Sequence, residues 1–267
     1  MRIAHNLASL NIYRNIEITE AKQSKCMTRI NTGSKLNRAC DDPTKIGEKE
    51  LMTMSIRTMQ SSSRNVQDTI SMLQTADGGL QEINGNLIRL KELMVQAGDG
   101  SLSDKDKDVL QNEINQVLAD VDYLAKGTNF NKVSLLDGSF TKKRSIIDKN
   151  EEVVIPDIKA TVHDLGLKAD VNDVSTSLDS IDKAIQDICQ TRGRIGGLGS
   201  RLEDTYNNIQ ESYSAIERSL SLISDADIGE EAVELAKNNI LMEAGNAIMV
   251  QTNKLPMDVL RILGNMK

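Results

Sequence analysis

The sequence predicts a mainly α-helical protein: a long antiparallel helical rod, resembling a coiled-coil bundle, with a small β-hairpin region and paired terminal helices. Aromatic residues make up only 2% of the 267 residues and Trp is absent. Leu, Ile, Val, Met and Ala must therefore fill the core, which suits narrow seams between helices. Only three prolines, Pro43, Pro156 and Pro256, interrupt the chain. Apolar residues recur every seven positions over long stretches, which indicates helices that pack side by side.

The longest repeat runs from Leu178 to Ile223 and predicts a single helix. One row of the repeat contains Ile181, Ile188, Ile195, Leu202, Ile209, Ile216 and Ile223, and its companion contains Leu178, Ile185, Arg192, Gly199, Tyr206, Tyr213 and Leu220. At about 1.5 Å per residue this helix is roughly 70 Å long. A repeat of seven requires a partner helix along that whole distance.

An upstream segment supplies that partner. It is predicted to be helical from about Thr44 to Gln96 and to end at Gly98 and Gly100. Its apolar row contains Met52, Met59, Val66, Leu73, Leu80, Leu87 and Met94. A third helix, from about Asp104 to Lys126, has Ser103 as its predicted N-cap. Its apolar stripe contains Leu110, Ile114, Val117, Val121 and Leu124.

The segment from about 128 to 166 has a different pattern. Short β-type runs alternate with turn residues, and Asp148, Lys149 and Asn150 are predicted to close a hairpin. We expect a small β region in this part of the chain.

The two ends of the chain are predicted to be helical as well. An N-terminal stripe contains Ile3, Leu7, Leu10, Tyr13 and Ile16. The C-terminal segment from Asp227 to Leu263 is apolar on most faces, with Ile228, Leu235, Met242, Met249 and Leu263 in one row and Leu241, Ile248, Leu255 and Ile262 in the next. No small partner in the chain could cover such a helix, so we expect neighbouring copies to cover it.

Composition argues against several classes of function. A net charge of −7 and a pI near 5.1 disfavour binding to nucleic acid or to an anionic membrane. No apolar run approaches the roughly 20 residues of a membrane span, so no membrane insertion is expected. The N-terminal segment lacks the pattern of a secretory signal, so we expect an export route without cleavage.

Candidate chemical sites have simpler structural explanations. Cys26, Cys40 and Cys189 are odd in number and widely spaced, which predicts free thiols rather than disulfides or a metal cluster. The acidic run 104–108 lacks the glycine and glutamate of a calcium loop and is interpreted as the first turn of a helix. No base, nucleophile or cofactor motif can be assembled, so we predict that the chain is not an enzyme and has no catalytic residues, cofactor or metal.

Several motifs together resemble those of bacterial flagellins. They include the opening Met1-Arg2-Ile3-Ala4-His5-Asn6, the runs Asn37 to Asp42, Ser63 to Asp68, Leu73 to Gly78, Glu92 to Ala97 and Leu135 to Gly138, and, near the C-terminus, Leu220 to Ile228 and Lys237 to Leu241. Cys40 replaces a glycine of the family motif, a position where glycine could serve a positive φ angle. The motifs span both ends of the chain in order and identify it as similar to a minimal flagellin without the variable outer domains.

The resemblance implies a structural subunit that polymerises into the flagellar filament, a hollow helical propeller for motility outside the cell. Residues 1–45 and 225–267 would form the inner tube, and residues 46–224 would form the outer part with its β-hairpin region. The residues expected to pack in the inner tube are Ile3, Leu7, Leu10, Leu235, Met242, Met249 and Leu263. The implied partners are many copies of the chain itself, a flagellar secretion chaperone, and cap and hook-junction proteins.

One patch is a candidate contact surface. Arg89, Leu93 and Gln96 fall at i, i+4 and i+7, offset from the predicted core row, and Glu113 lies on the neighbouring helix. We therefore expect Leu93 to be exposed in the monomer. The resemblance implies that the matching Arg, Leu and Glu connect subunits along a protofilament, and that a host Toll-like receptor binds the same patch in some family members.

Two alternatives remain open at the level of sequence. The first is a junction protein between hook and filament with the same fold, which would not form long homopolymers. The second is a coiled-coil adaptor that binds a foreign partner and stays dimeric. Measuring the size of the assembly at rising protein concentration separates these cases, because association through an open heterologous interface does not stop at a dimer.

Overall fold

A computed structural model describes residues 6–139, 144–148 and 151–264. The described residues form five helices and four short strands: α1 (Leu7–Thr32), α2 (Pro43–Ala97), α3 (Asp104–Gly127), β1 (Asn129–Phe130), β2 (Val133–Ser134), β3 (Arg144–Asp148), β4 (Glu151–Val154), α4 (Val174–Ser224) and α5 (Ile228–Gly264). The predicted mainly helical fold is confirmed. The chain divides into a terminal unit, residues 1–55 with 215–267, and a central unit, residues 56–214.

The central unit is built on the predicted seven-residue rows. Val66, Leu73, Leu80, Leu87 and Met94 of α2 and Ile181, Ile188, Ile195 and Leu202 of α4 are all buried in one core cluster. The helices run antiparallel, because Lys91 Nζ lies 2.6 Å from Asp182 Oδ1 while Arg192 Nε lies 2.7 Å from Asp77 Oδ1. The predicted pairing of the two long helices is confirmed within this unit.

Helix α3 begins where its capping residue predicts. The Ser103 side chain accepts a hydrogen bond from the Asp106 backbone N–H, and the Asp106 carboxylate accepts one from the Ser103 N–H, which forms a capping box. Asp104 and Asp106 lie in the first turn, where the helix dipole favours negative charge. The stripe of α3 that is buried contains Leu110, Ile114, Val121 and Ala125.

The predicted β region forms two small antiparallel pairs, β1 with β2 and β3 with β4. Asp148 pairs with Glu151 across the predicted hairpin, whereas Lys149 and Asn150 lie outside the described residues. The Asp122 carboxylate of α3 accepts a hydrogen bond from the Val162 backbone N–H. This bond is the main reason why the pKa of Asp122 lies below its usual range.

In the terminal unit, α1 and α5 pack against each other in antiparallel orientation. Helix α1 ends at Gly33, whose φ of 67° is the left-handed conformation that glycine adopts readily. The Lys35 N–H donates to the Ser224 carbonyl oxygen at 2.7 Å, and the Ala226 N–H donates to the Gly33 carbonyl oxygen at 2.9 Å. These bonds join the end of α1 to the connection between α4 and α5.

Candidate assembly surfaces

The seam between α1 and α5 is only partly apolar. The α1 side chains that are buried or half-buried along it include Ser9, Ile12, Ile16, Thr19, Gln23, Cys26, Arg29 and Ile30. Gly245 of α5 lies so close to α1 that a Cβ atom there would be 2.9 Å from Ile16 Cγ1. Leu235, Met242 and Met249 are half-buried on this side of α5.

A buried polar cluster lies near one end of the seam. Arg29 Nη1 donates to Glu231 Oε1 at 2.8 Å, and Asn238 Nδ2 lies 3.9 Å from Cys26 Sγ. Burial raises the pKa of the Cys26 thiol, and the neighbouring Glu231 carboxylate raises it further. Cys26 is therefore a packed thiol held in its protonated form at neutral pH.

The outward side of α5 is strongly apolar. Val233, Ile240, Leu241, Ile248 and Leu255 are 50 to 70% exposed. At about 100° per residue they share one side of the helix, away from α1. We call these five residues the outer stripe.

The predicted inner-tube residues do not all face the same way. Leu7 and Leu10 are 69% and 46% exposed, so they point away from α5 rather than into the seam. Tyr13 and Ile18 of α1 are exposed as well. Ile3 and the side chain of Leu263 lie outside the described residues.

The loop between α1 and α2 is held by a carboxylate. Asp41 accepts hydrogen bonds from the backbone N–H groups of Asn37 and Arg38, and its Oδ1 lies 3.0 Å from Lys25 Nζ. The hydrogen bond from Lys25 and that from the Arg38 N–H lower the pKa of Asp41 to about 2. Cys40 sits in this loop without a positive φ angle, so the glycine of the family motif is not needed here for backbone conformation.

In the central unit, the predicted patch has an ion pair at its centre. Arg89 Nη2 lies 2.8 Å from Glu113 Oε1 on α3, and its Nη1 lies 3.4 Å from Glu92. Hydrogen bonds to Glu113 and then to Glu92 raise the pKa of Arg89 above its already high value. Gln96 is exposed beside them.

The prediction that Leu93 is exposed is wrong. Leu93 is 1% exposed and belongs to the core cluster that also contains Leu110 and Ile114 of α3. The row of positions 79, 86 and 93 faces α3, because Gly79 approaches Thr128 at the end of that helix. Helix α2 therefore packs against both α3 and α4. The row that faces α3 is buried in addition to the two rows of its seven-residue repeat.

The exposed apolar residues of the patch are ones that sequence reasoning missed. Ile88 and Val95 are 46% and 59% exposed and lie seven residues apart on α2. Each precedes Arg89 or Gln96 by one residue and so lies about 100° from it around α2, on the exposed side of the helix next to the ion pair. Their positions outside the buried rows were the signal that could have identified them.

The other classes of site are a metal centre, a disulfide and a membrane span. Within the described residues, no three His, Cys, Asp or Glu side chains form a group that could hold a metal ion. Cys26, Cys40 and Cys189 are free thiols, as predicted. None of the described helices combines the length and the hydropathy needed to cross a membrane.

Comparison with known proteins agrees with this geometry. Residues 3–141 match the bacterial flagellin N-terminal helical region, and residues 178–263 match the bacterial flagellin C-terminal helical region. The chain is 31% identical to a flagellin of Bacillus subtilis (strain 168), with 98% of this chain and 100% of the relative covered.

Two solved structures share the fold. A crystal structure of Bacillus cereus flagellin is 30% identical with a TM-score of 0.50, covering 55% of this chain and 88% of the other. The structure of a flagellar hook-associated protein from Vibrio parahaemolyticus has a TM-score of 0.60, covering 69% of this chain and 99% of the other. Its identity is only 13%, so it shows a shared fold alone. The chain belongs to the bacterial flagellin family, as a minimal member, and is a structural subunit of the flagellar filament.

Proposed function

We propose that the chain polymerises through two surfaces: the outward apolar sides of α1 and α5, and the patch around the Arg89–Glu113 ion pair. The observation that carries this proposal is the outer stripe of α5, five large apolar side chains left at least half exposed. Burying a fully exposed side chain of this kind contributes about 1.5–3 kcal/mol, and these side chains, at 50 to 70% exposed, can supply the corresponding share of it. Covering the stripe with neighbouring copies therefore supplies a strong driving force for association.

The proposal assigns the terminal and the central residues to different parts of the filament. Residues 1–45 and 225–267 form the inner tube, where Leu7 and Leu10 pack against neighbouring subunits rather than against α5. Residues 46–224 form the outer part of the subunit. An interface between different faces of identical subunits does not close on itself, and it generates a filament.

The second surface lies on α2 and α3. Arg89, Gln96 and Glu113 supply charge and hydrogen bonds, while Ile88 and Val95 supply the apolar area that Leu93 does not. A protein interface usually combines apolar area with polar groups of this kind. If a host Toll-like receptor binds this patch, its apolar contacts are with Ile88 and Val95.

Further partners follow from the same exposed surfaces. Before polymerisation, a secretion chaperone would cover the outer stripe and prevent premature association. Cap and hook-junction proteins would meet the same faces at the two ends of the filament. We also propose that the chain leaves the cell through the flagellar export route and has no catalytic activity, on the strength of its membership in a structural family.

A junction protein between hook and filament is the second candidate. The Vibrio parahaemolyticus structure supports it at the level of fold only. The matches to both flagellin terminal regions, together with 31% identity over nearly the whole chain, favour the filament subunit.

The test uses the full-length chain with one added charge on each surface. Ile248→Asp on the outer stripe and Val95→Asp on the patch should each abolish long filaments, because a carboxylate would have to be buried in the interface. Both positions are more than half exposed, so the monomers should keep their helical circular dichroism.

Ser200→Asp is the control, since it places the same charge at an exposed position of α4 outside both surfaces. Electron microscopy and sedimentation at rising protein concentration measure the outcome. Filaments of normal length from Ile248→Asp would contradict the role of the outer stripe, and normal filaments from Val95→Asp would contradict the role of the patch.

A further inference from the structure

More than one face of helix α5 is apolar enough to pack against α1. The face it uses carries Leu235, Met242 and Met249, but the outer stripe is at least as apolar. Val250 and Met257 lie on a third side and are 57% and 70% exposed. Apolar burial alone gives no reason for α1 to select one face.

The chosen face differs from the others in a second row of residues. Glu231, Asn238, Gly245 and Thr252 are spaced by seven and are all buried or half-buried. We call these four residues the register row. Glu231, Asn238 and Gly245 each have a counterpart on α1 that depends on their residue type, whereas Thr252 contributes a backbone contact.

The counterparts follow the antiparallel order of the two helices. Glu231 accepts from Arg29 at 2.8 Å, and Asn238 contacts the Cys26 thiol at 3.9 Å. Gly245 allows Ile16 to approach, since any Cβ there would lie 2.9 Å from Ile16 Cγ1. At the far end, the Thr252 carbonyl oxygen accepts from Asn6 Nδ2 at 3.2 Å.

We propose that the register row determines which face α5 turns towards α1 and in which register, and so leaves the outer stripe for neighbouring copies. A slip or rotation of α5 would leave Glu231 and Asn238 buried without their partners, which is costly. It would also place a residue larger than glycine against Ile16. Single polar residues inside apolar helix seams are known to specify register in this way. The orientation of α5 stands by itself, whereas its consequence for neighbours rests on the proposed polymerisation.

The native Cys26 provides a probe of this orientation. In full-length chains in which Cys40 and Cys189 are replaced by Ser, Asn238→Cys places a second thiol opposite Cys26. Mild oxidation with copper phenanthroline should then form a disulfide within one chain, detected as a faster band on a non-reducing gel. Ile240→Cys, about 200° further round the helix, should form far less.

The role of the register row is tested by changing charge at its first position. Glu231→Arg should lower the yield of the Asn238→Cys disulfide several-fold and raise that of Ile240→Cys, because Arg29 would then face a like charge. The combined Arg29→Glu and Glu231→Arg exchange should restore the original yields. Glu243→Arg is the matched control: it makes the same change at an exposed position of α5 and should have no effect.

Equal yields for Glu231→Arg and Glu243→Arg, or no restoration by the charge exchange, would overturn the proposal. So would an Asn238→Cys chain that does not oxidise with Cys26 at all. Restored yields in the double variant would show that the effect of Glu231→Arg comes from the lost ion pair and not from misfolding. Because the disulfide forms within one chain, this result is independent of whether the same samples form filaments by electron microscopy.

Discussion

The central and terminal units bury their side chains in different ways. In the central unit, long rows of Leu, Ile and Val from α2, α3 and α4 are almost completely inaccessible. In the described part of the terminal unit, the buried residues are Cys26, Leu36, Ser224, Glu231 and Asn238. Three of these five are polar, while the large apolar residues of α5 lie mostly outside.

This difference indicates which unit is complete as a single molecule. A unit that hides its apolar residues internally has the main driving force for folding within itself. In a unit that buries polar residues and exposes apolar ones, the polar contacts determine how its helices pair. The apolar burial within that unit offsets little of the conformational entropy lost when its helices become ordered. Substitutions in each unit, and acid in the terminal unit, should show this contrast in stability measurements.

The first prediction compares two neighbours on α2. Leu93→Ala should lower the free energy of unfolding of the central unit by about 2–5 kcal/mol, because it leaves a cavity in the core. Val95→Ala, at an exposed position of the same turn, should change it by no more than about 0.5 kcal/mol. Urea unfolding followed by circular dichroism measures both. Equal, small effects would show that Leu93 is not a core residue.

The second prediction compares two adjacent glycines. Gly78 has open space where a Cβ would be, so Gly78→Ala should stabilise α2 by up to about 1 kcal/mol. At Gly79 a Cβ would lie 2.6 Å from Thr128 Oγ1, a hydroxyl already held by its bond to the Leu124 carbonyl oxygen. Gly79→Ala should therefore destabilise the central unit by about 1–3 kcal/mol. A shift of the thermal midpoint in the same direction for both variants would contradict this packing.

The third and smallest effect concerns acid and the terminal unit. The folded pKa of Asp41 is about 2, below the ordinary value of about 3.9. Its contacts therefore stabilise the α1–α2 loop above about pH 4, and this contribution is lost as the pH falls towards 2. Asp41→Asn, and Lys25→Gln from the other side of the ion pair, should flatten that part of the stability profile. Identical acid profiles for both variants and the parent chain would exclude the pair as a source of pH dependence.

Much of the fold could be predicted because the seven-residue rows are long and regular. The rows through Leu80 and Ile188 predicted α2 and α4 to within a few residues, and the capping signal at Ser103 predicted the start of α3. Both kinds of signal are local, so they do not depend on what else the chain contacts.

The details of the surfaces could not be obtained in the same way. Whether Leu93 is exposed depends on α3 covering a third row of α2, which the α2 sequence alone does not reveal. For α5 the difficulty is the opposite, because a helix apolar on most sides gives no preferred inward face. The spacing of Glu231, Asn238, Gly245 and Thr252 was visible in the sequence, but its meaning required the positions of Arg29 and Asn6.

The contacts of the terminal unit join the two extremes of the chain. The bond from Asn6 to Thr252 spans 246 positions, and that from Arg29 to Glu231 spans 202. When the chain emerges with its N-terminus first, α1 is therefore released long before α5, its packing partner. A chain that is truncated or only partly released therefore cannot form the α1–α5 pair that the complete chain forms.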